Sequence, residues 1–394
     1  MSQTDCNLYF DWAATSPADP EILRESLEIS LLNYANPSSA HKVGLQARTV
    51  LENAREFCAK SLGVKKNQIF FTSGGTESDH LPLLSVLNKS TKGRVILSGI
   101  EHPALREECA KLKMLGFDVV SVNPDKNGFV SPDAVAEKLT GDTLFVTVMA
   151  VNNETGCVQP IYKIADKITE LTQGKRRPHF HVDCVQAAGK VPLNLSHPGI
   201  DSAALSAHKI CGPRGIGILY ASKEFRSFLV GGGQEQNIRS GTENLFGAVA
   251  FSKVLEKYYL RDDSNLERFE EQKNWTKEFL GKIKGLKGCS IVPEIRANLE
   301  DDSVQEKFSP WVVQAAFHGI PGNVMVRALD AKGISISTGS ACSTKKQERP
   351  VLAAMNASRD VQDTAVRFSF GPLTTHDGMN ALFEALQDVV STFN

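Results

Sequence analysis

Short apolar runs alternate with amphipathic stretches between about residues 68 and 220. Residues 144–150 form a continuous apolar run and residues 200–205 a short, mainly apolar one, and such runs are typical of strands buried on both faces of a parallel sheet. Over residues 43–58 apolar side chains recur every three or four positions, and this spacing predicts an amphipathic helix that ends at Gly63. The pattern therefore predicts an α/β fold built on a doubly wound, mainly parallel sheet.

A second group of predicted elements follows in the C-terminal third. Residues 245–285 form one long helical stretch with a polar break at 262–264, and this stretch connects to apolar segments at 290–292, 311–317 and 334–337 and a helix at 322–331. We expect these elements to form a second, smaller domain from about residue 265 onward.

Composition limits the partners that such a protein binds. The 394 residues carry a net charge of −1, with 41 % apolar and 23 % charged residues, as in ordinary soluble proteins. This balance argues against nucleic acid or a membrane surface as the main partner. Because no apolar run reaches about 18 residues and residues 1–7 are polar, we expect a cytoplasmic protein without a membrane span.

The eight cysteines do not form a metal or disulfide pattern. None belongs to a CxxC pair, so we expect neither a zinc site nor any other bound metal, and most cysteines should be small buried side chains.

Polar residues recur where the predicted strands end, which is where open α/β sheets bind ligands. Lys209 follows the apolar run 200–205, and an amine desolvated there can act as a nucleophile or form a Schiff base. The segment 206–209 taken alone favours the alternative interpretation, a solvated lysine in a tight loop. The other polar residues at predicted strand ends are Thr76, His102, Asn153, Asp183, Ser206 and His208.

Together these residue types meet the requirements of pyridoxal 5'-phosphate (PLP). This cofactor needs an amine for its aldehyde, donors for its phosphate, a carboxylate for its ring nitrogen and a group over its ring. Asp183 could instead cap a helix and His102 could bond a core carbonyl, so the prediction depends on their joint occurrence. Lys209 can supply the amine, Asp183 the carboxylate and His102 the group over the ring, with Gln186 beside the phenolic oxygen. The phosphate donors are Thr76, Ser206 and His208, with the N–H groups of Gly75 and Thr76.

Ten stretches between residues 9 and 375 form an ordered set of motifs. They read YFDWAATSP, NPSSAHKVG, FTSGGTESD, EHPA, VNNETGCVQP, HVDCVQAAGK, LSAHKICGPRGIG, GGGQEQNIRSGTEN, GIPGNVMVRALDAKGISISTGSAC and VRFSFG. This set resembles the cysteine desulfurases that serve iron–sulfur cluster assembly and nitrogen fixation, within the class V aminotransferase superfamily. Residues 286–309 match least, and His80, Trp12 and Pro372 depart from the family pattern.

The resemblance implies a fold-type I PLP-transferase. Its large domain, residues 15–264, would hold a mainly parallel seven-stranded sheet. Residues 1–14 and 265–394 would form a smaller α+β domain that carries a mobile cysteine loop.

The same resemblance implies a role for each site residue. Lys209 would carry PLP as a Schiff base, and Thr242 would reach its phosphate from the other subunit of a homodimer. Asn153 would contact the ring oxygen and the substrate, while Arg367 would pair with the substrate carboxylate, helped by Asn36. Other implied roles follow the chemistry above: Gly75, Thr76, Ser206 and His208 at the phosphate, and His102, Asp183 and Gln186 at the ring.

Cys342 would be the second catalytic residue. In the implied reaction L-cysteine becomes L-alanine, its sulfur stays on Cys342 as a persulfide, and an acceptor or iron–sulfur scaffold protein then takes it. Lys345 and Lys346 would favour the thiolate. A selenocysteine lyase, another class V enzyme such as an aminotransferase or epimerase, and a scaffold without catalysis remain alternatives, and the acceptor and pathway stay open.

Overall fold

The computed structural model describes residues 7–259, 263–339 and 349–393. A seven-stranded sheet organises its larger part. The strands are β1 (Ile69–Thr72), β2 (Arg94–Ser98), β3 (Asp118–Val122), β4 (Thr143–Thr147), β5 (His179–Asp183), β6 (Ser202–Ser206) and β7 (Gly217–Ala221). Their order is β1-β7-β6-β5-β4-β2-β3. The pairs from β3 to β6 are parallel, whereas β7 is antiparallel to both of its neighbours, β1 and β6.

Seven α-helices of the described residues accompany the seven-stranded sheet. They are α1 (Pro20–Leu32), α2 (Lys42–Leu62), α3 (Gly75–Leu84), α4 (Pro103–Met114), α5 (Pro132–Ala136), α6 (Ile161–Leu171) and α7 (Leu245–Tyr258). Every residue of β4 and β6 is buried, as the apolar runs predicted. Helix α2 buries Ala47, Leu51, Ala54 and Cys58 of the predicted stripe, whereas Val43 and Phe57 are exposed. The helix ends at Gly63, whose φ of 68° is the left-handed conformation that glycine adopts without strain.

A three-stranded antiparallel sheet forms the core of the C-terminal part. Its strands are β8 (Cys289–Val292), β9 (Val312–Phe317) and β10 (Ala365–Ser369), in the order β10-β9-β8. The helices here are α8 (Asp263–Lys284), α9 (Asp302–Gln305), α10 (Gly322–Asp330), α11 (Pro350–Ala354), α12 (Arg359–Thr364) and α13 (His376–Phe393). Phe10 from the N-terminal segment joins this second core, edge-on against Phe370.

The predicted α/β fold is thus confirmed, with two local differences from the elements that the sequence predicted. The stretch predicted as one helical run holds two helices, α7 and α8. Residues 334–337 make only single bridges, Tyr9 with Ser335 and Ser337 with Arg367, because they cross between the N-terminal segment and β10. Among the described residues, no helix combines the length and apolar character needed to cross a membrane.

Candidate active site

A cavity of about 260 Å³ lies at the carboxyl ends of the central strands. Ten of the predicted site residues line it, although they come from segments far apart in the chain. They are Gly75, Thr76, His102, Asn153, Asp183, Gln186, Ser206, His208, Lys209 and Arg367. Parallel strands bring their carboxyl ends to one edge of the sheet, so the residues that follow β1, β2, β4, β5 and β6 converge there.

Three predicted residues are not placed at this cavity. Asn36 is exposed, and its Oδ1 accepts a hydrogen bond from the Ser38 backbone N–H at 2.9 Å. Thr242 lines a separate small pocket beside Phe71. Cys342 lies outside the described residues. A single chain therefore does not bring Asn36 or Thr242 to the other site residues.

Lys209 is held by backbone oxygens from the N-terminal segment. It ends a short 3-10 turn that directly follows β6. Its Nζ donates to the carbonyl oxygens of Ala13 and Ala14, both at 2.7 Å. These bonds fix the amine at the cavity wall.

Asp183 is the last residue of β5 and is buried at the cavity. Its Oδ1 accepts the backbone N–H of Val185 at 2.9 Å. Burial raises the pKa of Asp183 to about 6, although the Val185 N–H and the charge on Lys209 act in the opposite direction. A cationic ring nitrogen would favour the ionised form of this carboxyl group, because an opposite charge lowers its pKa.

His102 caps helix α4. Its Nδ1 accepts the Ala104 backbone N–H at 3.2 Å, so the neutral ring carries its proton on Nε2. Burial and the charge on Lys209 lower the pKa of His102 to about 4. The ring is therefore neutral at physiological pH and can lie against an aromatic cofactor.

The first turn of α3 forms an anion cradle. Its N-cap is Gly74, which has no side chain to cap the free N–H groups of Gly75 and Thr76. A Cβ at Gly75 would lie only 2.7 Å from Val185 Cγ2, so a side chain there would fill the space beside Ser206. Ser206 and His208 border the same cavity and supply further donors. This combination suits a phosphate group.

Gln186 is oriented by a lysine that the sequence did not single out. Its Nε2 donates to Ala13 O at 2.9 Å, and its Oε1 accepts from Lys190 Nζ at 2.8 Å. An ammonium group can only donate, so it fixes which amide atom faces it. Burial and the nearby charge on Lys209 lower the pKa of Lys190 to about 7.

Arg367 is a buried guanidinium on β10. Its Nη1 donates to the carbonyl oxygens of Asn153 at 3.0 Å and Gly339 at 2.7 Å, and its Nη2 lies 2.6 Å from Asp11 Oδ1. Within residues 7–259, 263–339 and 349–393, its Nε has no hydrogen-bond partner. A buried unpaired donor at a cavity wall suits a carboxylate, which can accept bonds from two guanidinium nitrogens at once.

Three further carboxyl groups at the cavity were missed from sequence: those of Asp79, Glu101 and Glu154. Asp79 and Glu101 are both buried and line it with Asp183. Burial and the charge on Asp183 raise the pKa of Glu101 to about 8. Asp79 and Glu101 lie inside quoted motifs, FTSGGTESD and EHPA, where only their neighbours were interpreted.

The residues present fit PLP. An amine, a buried carboxyl group, a neutral imidazole and an anion cradle border one cavity, and they correspond to the aldehyde, ring nitrogen, ring face and phosphate of this cofactor. The unpaired Nε–H of Arg367 leaves a place for a carboxylate beside them.

Comparison with known proteins gives the same family by three routes. The model of the family described as aminotransferase class V matches residues 8–382. A cysteine desulfurase IscS of Dictyoglomus turgidum is 34 % identical over 391 residues, covering 97 % of this chain and 94 % of the relative. A putative cysteine desulfurase IscS 1 of Bacillus subtilis is 35 % identical over 390 residues, covering 97 % of this chain and 98 % of the relative.

Solved structures agree with the sequence relatives. A structure described as a NifS-like protein superposes with a TM-score of 0.87 at 32 % identity, covering 98 % of this chain and all of that one. The NifS-like protein from Rickettsia africae gives a TM-score of 0.82 at 25 % identity, covering 98 % of this chain and 99 % of that one. The chain belongs to the class V aminotransferase family and, within it, to the cysteine desulfurases of the IscS and NifS type.

Proposed function

We propose that this protein is a PLP-dependent cysteine desulfurase, which converts L-cysteine to L-alanine and holds the sulfur as a persulfide on Cys342. One observation carries the proposal: the amine of Lys209, the carboxyl group of Asp183 and the guanidinium of Arg367 border a single cavity. The family to which the chain belongs supports the same reaction.

PLP, when bound, supplies an aldehyde that takes the substrate amino group and a protonated ring that withdraws electrons from Cα. Lys209, as an unprotonated amine, takes the Cα proton of the substrate onto Nζ. The Ala13 and Ala14 carbonyl groups accept hydrogen bonds from Nζ and keep it at the cavity wall. Asp183, in its ionised form, holds the proton on the ring nitrogen.

Arg367 binds the substrate carboxylate. Its unpaired Nε and its Nη2 can form two parallel bonds to the two carboxylate oxygens. The two carbonyl partners of Nη1 hold the guanidinium in place for that contact. This pairing orients the α-amino acid and selects against amines that lack a carboxylate.

Cys342 removes the sulfur. Its thiolate attacks the substrate sulfur atom, an S–S bond forms, the Cβ–S bond breaks, and the carbon fragment keeps the electron pair. Two protons complete alanine: one is taken up at Cβ, and the one that Lys209 removed returns to Cα. His102, neutral and with its Nδ1 occupied by the Ala104 N–H, can donate from Nε2–H at the cavity wall. An acceptor protein then takes the sulfur from the persulfide.

The test measures alanine and sulfide together, with L-cysteine as substrate and dithiothreitol as the sulfur acceptor. We expect equal amounts of both products from the wild type, and neither from a Cys342→Ser variant that still binds PLP. Normal sulfide release by that variant would contradict the proposal. A higher rate with L-selenocysteine than with L-cysteine would identify a selenocysteine lyase. Alanine formation that does not depend on Cys342 would indicate another class V activity.

We also propose that the protein acts as a homodimer in which Thr242 completes the phosphate site of the partner subunit. Thr242 and Asn36 lie away from the cavity of their own chain, which supports this arrangement. Mixing inactive Lys209→Ala subunits with Thr242→Ala subunits tests it. A shared site yields one fully wild-type cavity per mixed dimer, and so recovers activity above that of either parent.

The remaining assignments are extensions of the same proposal. Residues 15–264 form the large domain, and residues 1–14 with 265–394 form the small one. The presence of Phe10 in the C-terminal core supports this division. Six described cysteines are free, which supports a reducing, cytoplasmic location. The sulfur passes to a partner protein, either a sulfur acceptor or an iron–sulfur scaffold protein.

A further inference from the structure

A chain of four hydrogen-bonded side chains runs along one face of the large sheet towards the cavity. His179 Nε2 lies 2.7 Å from Ser202 Oγ, the same oxygen lies 2.7 Å from His181 Nδ1, and His181 Nε2 lies 3.0 Å from Asp79 Oδ1. Asp79 belongs to α3 and lines the cavity. Each of these bonds is within normal hydrogen-bond distance.

Strand geometry explains the direction of the chain. His179, His181 and Asp183 alternate along β5, so their side chains lie on one face of the sheet and span about 13 Å from first to last. Ser202 pairs with His181 in the neighbouring strand β6. The four side chains therefore run from the amino end of β5 towards the cavity at its carboxyl end.

The far end of the chain opens into a second cleft. His179 is half-buried and lines a cleft of about 440 Å³ at the opposite edge of the sheet, together with Arg177, Asp201 and Lys223. Phe145 stacks on the His179 ring at 5.2 Å with an interplanar angle of 3°, which fixes the orientation of that ring. Water in this cleft can reach His179, whereas His181 is fully buried.

The bonds can be completed in two opposite orders. In the first, His179 Nε2–H donates to Ser202, the Ser202 hydroxyl donates to His181 Nδ1, and His181 Nε2–H donates to the Asp79 carboxylate. In the second, the Asp79 acid donates to His181 Nε2, His181 Nδ1–H donates to Ser202, and Ser202 donates to His179 Nε2. Both orders use three protons, and changing between them moves one proton from His179 to Asp79. Uptake of a proton from water at Nδ1 then keeps His179 neutral.

We propose that His179, Ser202, His181 and Asp79 form a proton relay between the second cleft and the cofactor cavity. It rests on the proposed function, because its purpose is to let Asp79 exchange protons while PLP and substrate fill the cavity. Asp79, Glu101 and Asp183 line one cavity, and the ionised Asp183 that the ring nitrogen requires is favoured when Asp79 is neutral.

The surroundings of the relay favour its neutral form. Burial, with the charges on Asp183 and Glu101, raises the pKa of Asp79. Burial, with the neighbouring His179, lowers the pKa of His181. Both shifts favour the second order of bonds, in which Asp79 carries the proton.

Four charged groups act on the outer histidine, His179, besides the aromatic ring that stacks on it. Burial lowers its pKa to about 4; Asp201 acts to raise it, and Arg177, Lys223 and Lys89 act to lower it. His179, the outer end of the relay, is consequently neutral at neutral pH and passes a proton without holding a charge.

Ser202 offers a matched pair of test variants. Ser202→Thr and Ser202→Val add the same volume at a buried position, but only threonine keeps the hydroxyl. Thr147→Val is the control, because Thr147 is buried beside His181 in the neighbouring strand and its Oγ1 has no partner among the described residues. Asp79→Asn identifies the carbonyl-stretch band of the Asp79 acid.

The readout is infrared spectroscopy of the PLP-loaded protein transferred into D₂O, which follows the deuteration of that acid. We expect Ser202→Val to slow deuteration by about tenfold or more, the effect of one extra 1.36 kcal/mol in the barrier. The Ser202→Thr and Thr147→Val proteins should exchange like the wild type. Equal rates in Ser202→Val and Ser202→Thr, or no acid band lost in Asp79→Asn, would overturn the relay.

Reduction with borohydride, run first on each sample, separates this outcome from failure of the proposed function. A label on Lys209 combined with equal deuteration rates contradicts the relay alone. A protein that takes no label at Lys209 contradicts the proposed function and the purpose assigned to the relay. If Ser202→Val and Ser202→Thr both unfold, Ser202→Ala gives the same comparison against the wild type.

Discussion

Asp11 and Arg367 form an ion pair of 2.6 Å between Oδ1 and Nη2, although 356 residues separate them in the chain. The Arg367 side chain is 2 % exposed and that of Asp11 is 22 % exposed. Asp11 therefore occupies one donor of the guanidinium that the proposed function assigns to the substrate carboxylate. Substrate binding has to share or displace this contact.

The Asp11→Asn substitution should strengthen substrate binding. It removes a competing negative charge and leaves the positive charge of Arg367 uncompensated. We expect KM for L-cysteine to fall about fivefold, corresponding to roughly 1 kcal/mol for a partly exposed pair, with kcat little changed. Steady-state kinetics with L-cysteine measure both constants.

Arg367→Lys is the contrasting variant for this pair. A single ammonium cannot make two parallel bonds, so kcat/KM should fall by about 100-fold. A higher KM in Asp11→Asn, or normal kcat/KM in Arg367→Lys, would contradict the placement of the substrate carboxylate at Arg367.

Asp183 should make the stability of the coenzyme-free protein depend on pH. Its folded pKa of about 6 lies above the ordinary value of 3.8, so the folded state binds this proton more tightly than the unfolded state does. Its contribution to the unfolding free energy is therefore fully favourable below pH 3.8 and is lost as pH rises towards 6, by about 3 kcal/mol in all.

As the pH rises from 4 to 6, the Asp183→Asn variant should consequently gain stability relative to the wild type, and it should keep that gain above pH 6. Urea unfolding at a series of pH values measures the difference. Addition of PLP should reverse the order at pH 8, since only the carboxylate can pair with the ring nitrogen. A wild-type-to-variant difference independent of pH would refute the assigned pKa.

His102 should act as a neutral imidazole across the working pH range. Replacement by phenylalanine keeps an aromatic ring and removes both nitrogens, so kcat should fall by about 10² to 10³. Because the pKa of His102 is about 4, the ratio of wild-type to His102→Phe kcat should stay constant between about pH 5 and 8. Paired pH–rate profiles test this, and a ratio that changes with a pKa near 6.5 would show that His102 titrates in that range.

Thiol chemistry should single out Cys342. The six described cysteines are buried or half-buried, and burial raises the pKa of each thiol; for Cys109, Cys157, Cys211 and Cys289 the pKa rises to about 12. Iodoacetamide at pH 7.5 should therefore inactivate the enzyme by modifying Cys342. Peptide mass mapping identifies the modified residue, with Cys6→Ser as the control that still inactivates. Inactivation that tracks any of the six described cysteines would count against the proposed role.

Sequence predicted the parts of this structure that depend on local pattern. The apolar runs gave β4 and β6, and the three-to-four spacing gave α2 with its end at Gly63. The polar residues at strand ends could be assigned to one site because parallel strands share an edge. All seven of them, Lys209 included, line the cavity.

The remaining features depend on contacts between distant segments, which no local pattern encodes. A lysine at position 190 looks like an ordinary charged residue, and only the fold shows that it is buried against Gln186. Asp79 and His181 lie on different elements, so their bond could not be seen in the sequence. The antiparallel pairing of β1 with β7 likewise depends on tertiary packing.

The N-terminal cap of α2 is another feature that local pattern does not decide. The loop before the helix offers Ser38 and Ser39, but His41 takes the cap position, and its Nδ1 accepts the Gly44 backbone N–H at 3.2 Å. Serine is the more common cap residue, and the geometry of the preceding loop decided otherwise.

Covalent attachment of PLP to Lys209 is the claim on which the proposed function depends, and borohydride reduction followed by peptide mass analysis tests it most directly. We expect the pyridoxyl label on the peptide that contains Lys209 and no label in a Lys209→Ala protein. Lys190, a second buried lysine whose pKa is lowered to about 7, is the internal comparison. A label on Lys190, on another lysine or on none would contradict the account.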